Sequence, residues 1–127
     1  MLLDSNILIY GIHPDRHDLR VWLDGFPELS SSSLSRVEVL GYYKLSDDDR
    51  IASLKLISQV DQLPVTEAII DEAIRLRQIR KMDLGDAIIA ATALVHAETL
   101  ATANTTDFYW IPGFTLVNPL DQLKPTP

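Results

Sequence analysis

The chain has 127 residues, 46% of them hydrophobic and 23% charged, which fits one domain with a proper core and disfavours a disordered segment. A formal net charge of −7 argues against a protein that grips nucleic acid by bulk positive charge, and the absence of cysteine removes disulfides and thiolate–zinc sites and suits a reducing cytoplasm. No apolar run reaches the roughly 18 residues of a membrane span, and MLLDSNILIY lacks the basic start expected of a signal peptide.

The first predicted element is a strand at Leu2-Leu3 that runs into a turn or helix near Ser5-Asn6. Asp4 interrupts this apolar run, and a buried strand does not tolerate an ionised carboxylate without a partner. In DRHDLRVWLDGF, Leu19, Trp22, Leu23 and Phe26 fall at i, i+3, i+4 and i+7, which predicts an amphipathic helix ended near Gly25-Pro27. ELSSSS reads as a short strand leading to a serine-rich cap. SLSRVEVLGYYKL predicts a helix with Leu34, Val37 and Leu45 on one side. Ser46 with an acid at Asp49 resembles a capping box and starts a helix that carries Ile51, Leu54 and Ile57. LPV reads as a brief strand, Thr66 as the N-cap of EAIIDEAIRLRQIRK, and DLGDAIIAATALVHA as a closely packed helix. TLATA and FTLV are the last strands. The tail beyond Asn118 is expected to fray, giving one domain over 1–120 and a tail over 121–127.

Short strands alternating with longer helices imply a three-layer α/β/α sandwich around a short, mostly parallel central sheet. Such sheets carry their sites at the carboxyl ends of strands, near a switch in strand order. Asp4 sits where the first strand ends. Glu38 lies one turn inside the third helix, Asp86 begins the DAIIAATALVHA helix, and Asp107 follows TLATA in the loop NTTDF. Each acid alone has a plainer reading. Asp4 and Asp86 are natural N-caps, Glu38 a solvated helix residue, and Asp107 a turn residue. Together, four acids from separated segments converge at one sheet edge, where their repulsion raises their pKa unless a hard cation such as Mg²⁺ or Mn²⁺ is bound. Such a cation positions a water and offsets charge developing on a phosphodiester.

LLDSNILIY, SLSRVEVLGY, DAIIAATALVHAETLAT and NTTDF…NP resemble the signature blocks of the PIN domain, and within it are most similar to VapC-type toxins of prokaryotic toxin–antitoxin pairs. The resemblance implies a PIN-like fold and an endoribonuclease whose catalytic, metal-binding acids are Asp4, Glu38, Asp86 and Asp107. It further implies an RNA substrate, a cognate antitoxin and a homodimer. Ser5 stands where the family usually has Thr, keeping the hydroxyl, and with Asn6 is a supporting residue. Asn104 occupies a position where many relatives carry an acid, while the acid nearby is Asp107; which of the two completes the set stays open at this point.

AIRLRQIRKM contains Arg75, Arg77, Arg80 and Lys81 and no acid, so it reads either as a phosphate-binding patch or as the solvated side of a helix. His13 and His17 are separated by Pro14 and read as loop histidines, and His96 ends a helix. Trp22 and Phe26 suit core packing or a dimer face. An aspartyl-nucleophile phosphatase would need a second Asp at position 6, where this chain has Asn6; a signalling receiver typically pairs two acids at its first strand, where this chain has one. A PIN-like module that has lost its metal is the non-enzymatic alternative, and the presence of all four acids favours the enzyme.

Overall fold

Parallel pairing runs through the whole central sheet of the computed structural model, which describes residues 1–123. The strands β1 (Leu2–Leu3), β2 (Ser30–Ser32), β3 (Asp61–Leu63), β4 (Leu100–Ala101) and β5 (Leu116–Val117) lie in the order β3-β2-β1-β4-β5. Leu2 and Leu3 face Ser30 and Ser31 on one side and Leu100 and Ala101 on the other. The chain therefore builds outward from β1 to β3, then returns to add β4 and β5 on the far side. That reversal opens a crevice beyond the carboxyl ends of β1 and β4. Asp4 directly follows β1, and Thr102 directly follows β4.

Alternation along the strands divides the core in two. Leu2 and Leu100 pack with Ile69 and Leu76 of α5 (Glu67–Ile79) and Ile89 and Ala90 of α6 (Leu84–His96). Leu3 and Ala101 pack with Ile7 and Leu8 of α1 (Ser5–Gly11), Leu19 and Leu23 of α2 (His17–Asp24), Val39 of α3 (Ser33–Leu40) and Leu56 of α4 (Asp47–Ile57). The expected three layers are present, and the described sheet is wholly parallel. Beyond α2, Phe26 packs at a tilt on half-buried Trp22 with ring centroids 4.6 Å apart.

The third helix corrects the expectation. It stops at Leu40, and it buries Ser35 and Val39 while Val37 is 67% exposed. A Cβ at Gly41 would lie 2.3 Å from the Val37 carbonyl oxygen, so a residue without one is needed where the helix ends. Ser35 is drawn inward by the Ser5 hydroxyl at 2.8 Å, which turns the helix away from the Leu34–Val37 face. In α4, Ser46 caps as expected, accepting from the Asp49 amide at 3.1 Å, but Ile51 and Leu54 are exposed and Leu56 joins Ile57 inside. β3 precedes most of the expected LPV because Pro64 has no amide hydrogen to give the ladder. The expected fraying beyond Asn118 is also corrected. Asn118 accepts from the Leu120 amide at 3.0 Å and caps α7 (Pro119–Gln122), whose Leu120 packs with Leu123 on the second core half. The remainder of the expected tail, 124–127, lies outside the described residues.

Candidate active site

Asp4 both ends β1 and caps α1. Its Oδ1 accepts from the Ser5 amide at 2.7 Å, and its Oδ2 accepts from the Thr102 hydroxyl at 2.8 Å. Burial pushes its carboxyl above the ordinary range; the two hydrogen bonds pull it back, and the charges of Glu38 and Asp107 push it further up. Asn6 locks the same corner, donating to Thr102 Oγ1 at 3.3 Å and accepting from the Ala103 amide at 3.3 Å.

Ser5 links Asp4's segment to α3. Its Oγ lies 2.8 Å from both Ser35 Oγ and Glu38 Oε1. With one hydroxyl hydrogen, Ser5 donates to the carboxylate and accepts from Ser35. Glu38 is thereby held although its residue is exposed. A Cβ at Gly85 would stand 3.3 Å from Glu38 Oε2, so the first turn of α6 passes directly against Glu38.

Asp86 belongs to that first turn. It is not the N-cap that its place after Gly85 suggested: Asp83 holds the cap position, and the helix starts at Leu84. Its carboxyl is pushed up to about 6, first by burial and then by the charges of Asp4, Asp107, Asp83 and Glu38. The four expected acids thus share one electrostatic field, although they come from the end of β1, from α3, from α6 and from the 3-10 turn Thr105–Asp107.

Asn104 and Asp107 differ in their parts. The Asn104 amide donates to Thr102 Oγ1 at 3.1 Å while the residue is exposed. The charge of Asp107 reaches both Asp4 and Asp86. Asp83, Thr102 and Ser35 escaped sequence reasoning. Asp83 had a local signal, lying three positions before Asp86 in MDLGD. Thr102 and Ser35 had none, since only folding brings them to Asp4 and Ser5.

The donors are carboxylate and hydroxyl oxygens, a hard set that fits Mg²⁺ or Mn²⁺ in kind. Among the described residues, no group of three or more His, Cys, Asp or Glu side chains is gathered tightly enough to hold a metal ion as it stands. Asp4 turns its oxygens to the Ser5 amide and the Thr102 hydroxyl, and Glu38 turns one to the Ser5 hydroxyl. Beside the acids opens a cleft of about 310 Å³ walled by Arg80, Lys81, Asp83, Asp86, Asp107 and Trp110, with Met82 and Thr106 between them. A larger groove of about 640 Å³ at α5 and α6 is apolar, with Ile70, Ile74, Leu84 and Ile88 among its lining and no acid. Of the four expected acids, Asp86 and Asp107 line the smaller opening, and Glu38 lines a separate groove.

The basic residues do not form one patch. Arg75 pairs with Glu72, which lies just before the acid-free stretch. Arg77 Nε donates to the Met82 carbonyl at 3.2 Å. Only Arg80 and Lys81 line the acid cleft.

Asp86 gives the fold a pH signature. Because its folded pKa of about 6 exceeds its ordinary 3.8, its stabilising contribution is full below about 3.8 and is lost as pH rises through about 6. Solvent screening of this half-open group limits the loss to about 1 kcal/mol. In EDTA, Asp86→Asn is expected to melt above wild type near neutral pH and to match it in acid, with Mg²⁺ stabilising wild type more than the variant. Calorimetry across pH checks this; a difference that ignores pH would remove Asp86 from the shared field.

The PIN domain family model matches residues 1–112. No curated protein matches the chain. Among solved structures, a toxin–antitoxin complex from Klebsiella pneumoniae contains a chain 33% identical, with 93% of this chain and 96% of that one covered and a TM-score of 0.76. VapBC2 from Rickettsia felis, bound to a DNA fragment from its promoter, matches with 23% identity, coverage of 92% and 96%, and a TM-score of 0.77. VapBC-1 from nontypeable Haemophilus influenzae matches with 22% identity, the same coverages and a TM-score of 0.72.

Proposed function

The chain belongs to the PIN domain family, and from that premise we propose that it is a Mg²⁺- or Mn²⁺-dependent endoribonuclease, the VapC-type toxin of a toxin–antitoxin pair. The observation that carries this reading is the meeting of acids at the sheet's switch point: Asp4 is held by Ser5 and Thr102, and Glu38, held by the same Ser5, lies against Gly85 in the turn that bears Asp86. A fold that keeps carboxylates in mutual repulsion gives up stability there, a departure that recurs at functional sites. Asp4, Glu38, Asp86 and Asp107 would hold the cation. When bound, it supplies positive charge against the phosphodiester and makes water a competent nucleophile near neutral pH.

The chain's own residues orient the site. Ser5 and Thr102 hold both carboxylate oxygens of Asp4, so this buried acid is the rigid reference of the set. Ser5 steadies Glu38, and Asn6 with Thr102 joins β1 to the loop that carries Asp107. Arg80 and Lys81 offer the cleft positive charge for the backbone of a strand passing the acids. The Klebsiella pneumoniae complex supports an antitoxin partner, and cytoplasmic action as a homodimer is part of the same proposal. Among the described residues, no helix is long and apolar enough to cross a membrane.

The test is a gel of RNA incubated with purified protein in Mg²⁺, in Mn²⁺ and in EDTA, with the product ends identified. Cleavage is expected only with the cation, leaving 5′-phosphates and 3′-hydroxyls, as attack by water with departure of the 3′-oxygen gives. Cyclic 2′,3′-phosphates would mean that the RNA's own 2′-hydroxyl attacks, and undigested RNA with bound protein would favour the metal-free binding module.

A further inference from the structure

One wall of the acid cleft is an indole. Trp110 lies just beyond the 3-10 turn that carries Asp107, and its Nε1 donates to the Asp107 carbonyl at 3.2 Å. Its ring is half-buried against the core half built on α5 and α6, which fixes it in place. Over the ring, 5.4 Å from its centroid, lies the Arg80 guanidinium. Among the described residues neither Arg80 nor Lys81 has an ion-pair partner, although Asp83, Asp86 and Asp107 line the same cleft.

We propose that Trp110, with Arg80 beside it, is a stacking platform for one RNA base next to the acids, and that this base holds the strand in register in the cleft. The inference rests on the ribonuclease reading above and adds a base-binding residue to its site. A fixed π-face and unpaired cations beside acids suit a ligand with aromatic faces and a charged backbone, and unpaired RNA carries both. Duplex RNA keeps its base faces stacked internally and offers none. A base between guanidinium and ring would need roughly 7 Å, two contact thicknesses, so at 5.4 Å the pair cannot hold one between them. The base replaces Arg80 over the indole, and the long arginine stem turns its guanidinium to the adjoining phosphate. A simple packing pair would instead keep Arg80 on the ring whatever RNA is present.

The chain has two tryptophans, so Trp22→Phe leaves Trp110 as the only indole reporter. In that protein, with Asp86→Asn added to prevent turnover, single-stranded oligoadenylate is expected to quench the Trp110 fluorescence, while the same strand in a duplex with oligouridylate leaves it unchanged. By fluorescence anisotropy with labelled oligoadenylate, Trp110→Ala is expected to weaken binding about tenfold or more, Trp110→Phe to recover much of the loss, and Arg80→Gln to lower the salt slope by about one. If Trp110→Ala does not fold, the fluorescence arm decides alone. Oligoadenylate that binds and is cut by wild type without changing the indole signal would overturn the stacking site and leave the ribonuclease intact. If wild type neither binds nor cuts RNA, the ribonuclease reading fails and the stacking site falls with it.

Discussion

Asp4→Asn is expected to lower the rate of RNA cleavage by about a hundredfold or more while leaving the melting temperature in EDTA within a few degrees of wild type. The two effects separate because Asp4 has two kinds of work. As a cap, it needs only an acceptor for the Ser5 amide, which the Asn amide oxygen supplies in the same place. Its second oxygen accepts from the Thr102 hydroxyl, and there the substituted NH₂ meets an oxygen that already accepts from Asn6 and the Asn104 amide. Stranding the Thr102 hydrogen costs about 1 kcal/mol. Removing a buried charge repelled by Glu38 and Asp107 offsets that loss near neutral pH. Catalysis has no such compensation, because a neutral amide is a poor hard-cation ligand and leaves the rigid corner of the site without its charge. Initial rates on a single-stranded substrate, with thermal melts of both proteins, check the claim. A folded variant that keeps a tenth of the activity would remove Asp4 from the catalytic set.

Expression of the wild-type chain alone is expected to arrest growth, and Asp4→Asn to relieve the arrest. A neighbouring gene's product should protect equally by binding the toxin. The site explains how such a partner would act: an arginine entering the acid cluster pairs bidentately with a carboxylate and competes with the cation. An apolar groove lies beside it. A groove of about 360 Å³ runs along Ile9, Ile12, Val39, Tyr42 and Leu45 with Glu38 on its wall, so an amphipathic segment seated there would bring a cation to the acids. Ile51 and Leu54 on α4 are exposed as well, whereas Ile57 is buried. Colony counts after induction, with and without the neighbouring gene, read the outcome. A wild-type protein that cuts RNA in vitro yet is harmless at high expression would point to a housekeeping nuclease.

Much of this molecule was legible locally. Ser46 and Thr66 cap their helices, Leu19 and Leu23 face inward from α2, and Asp4 ends the first strand, because each rests on spacing within a few residues. The family blocks suggested the rest of the acid set, and the charges of Glu38 and Asp107 raise the carboxyls of Asp4 and Asp86. One local pattern was overridden by a distant contact: the face of α3 was decided by Ser5, thirty positions from Ser35. Another lost to a near neighbour, Arg75 pairing with Glu72 one helical turn away, just outside the stretch that looked acid-free.

The sequence alone therefore determined the order of the elements as far as β5, the caps at Ser46 and Thr66 and the place of Asp4 at the end of β1, since periodicity and turn chemistry are encoded among near neighbours. Only the tertiary structure decided that Thr102 would hold Asp4, that Asp83 would join the field around Asp86, and that Trp110 would wall the cleft beneath Arg80. Thr102 and Asp4 stand 98 positions apart. They meet because β1 and β4 pair in parallel at the centre of the sheet, and strand pairing across such a distance leaves no trace in the spacing of residues along the chain.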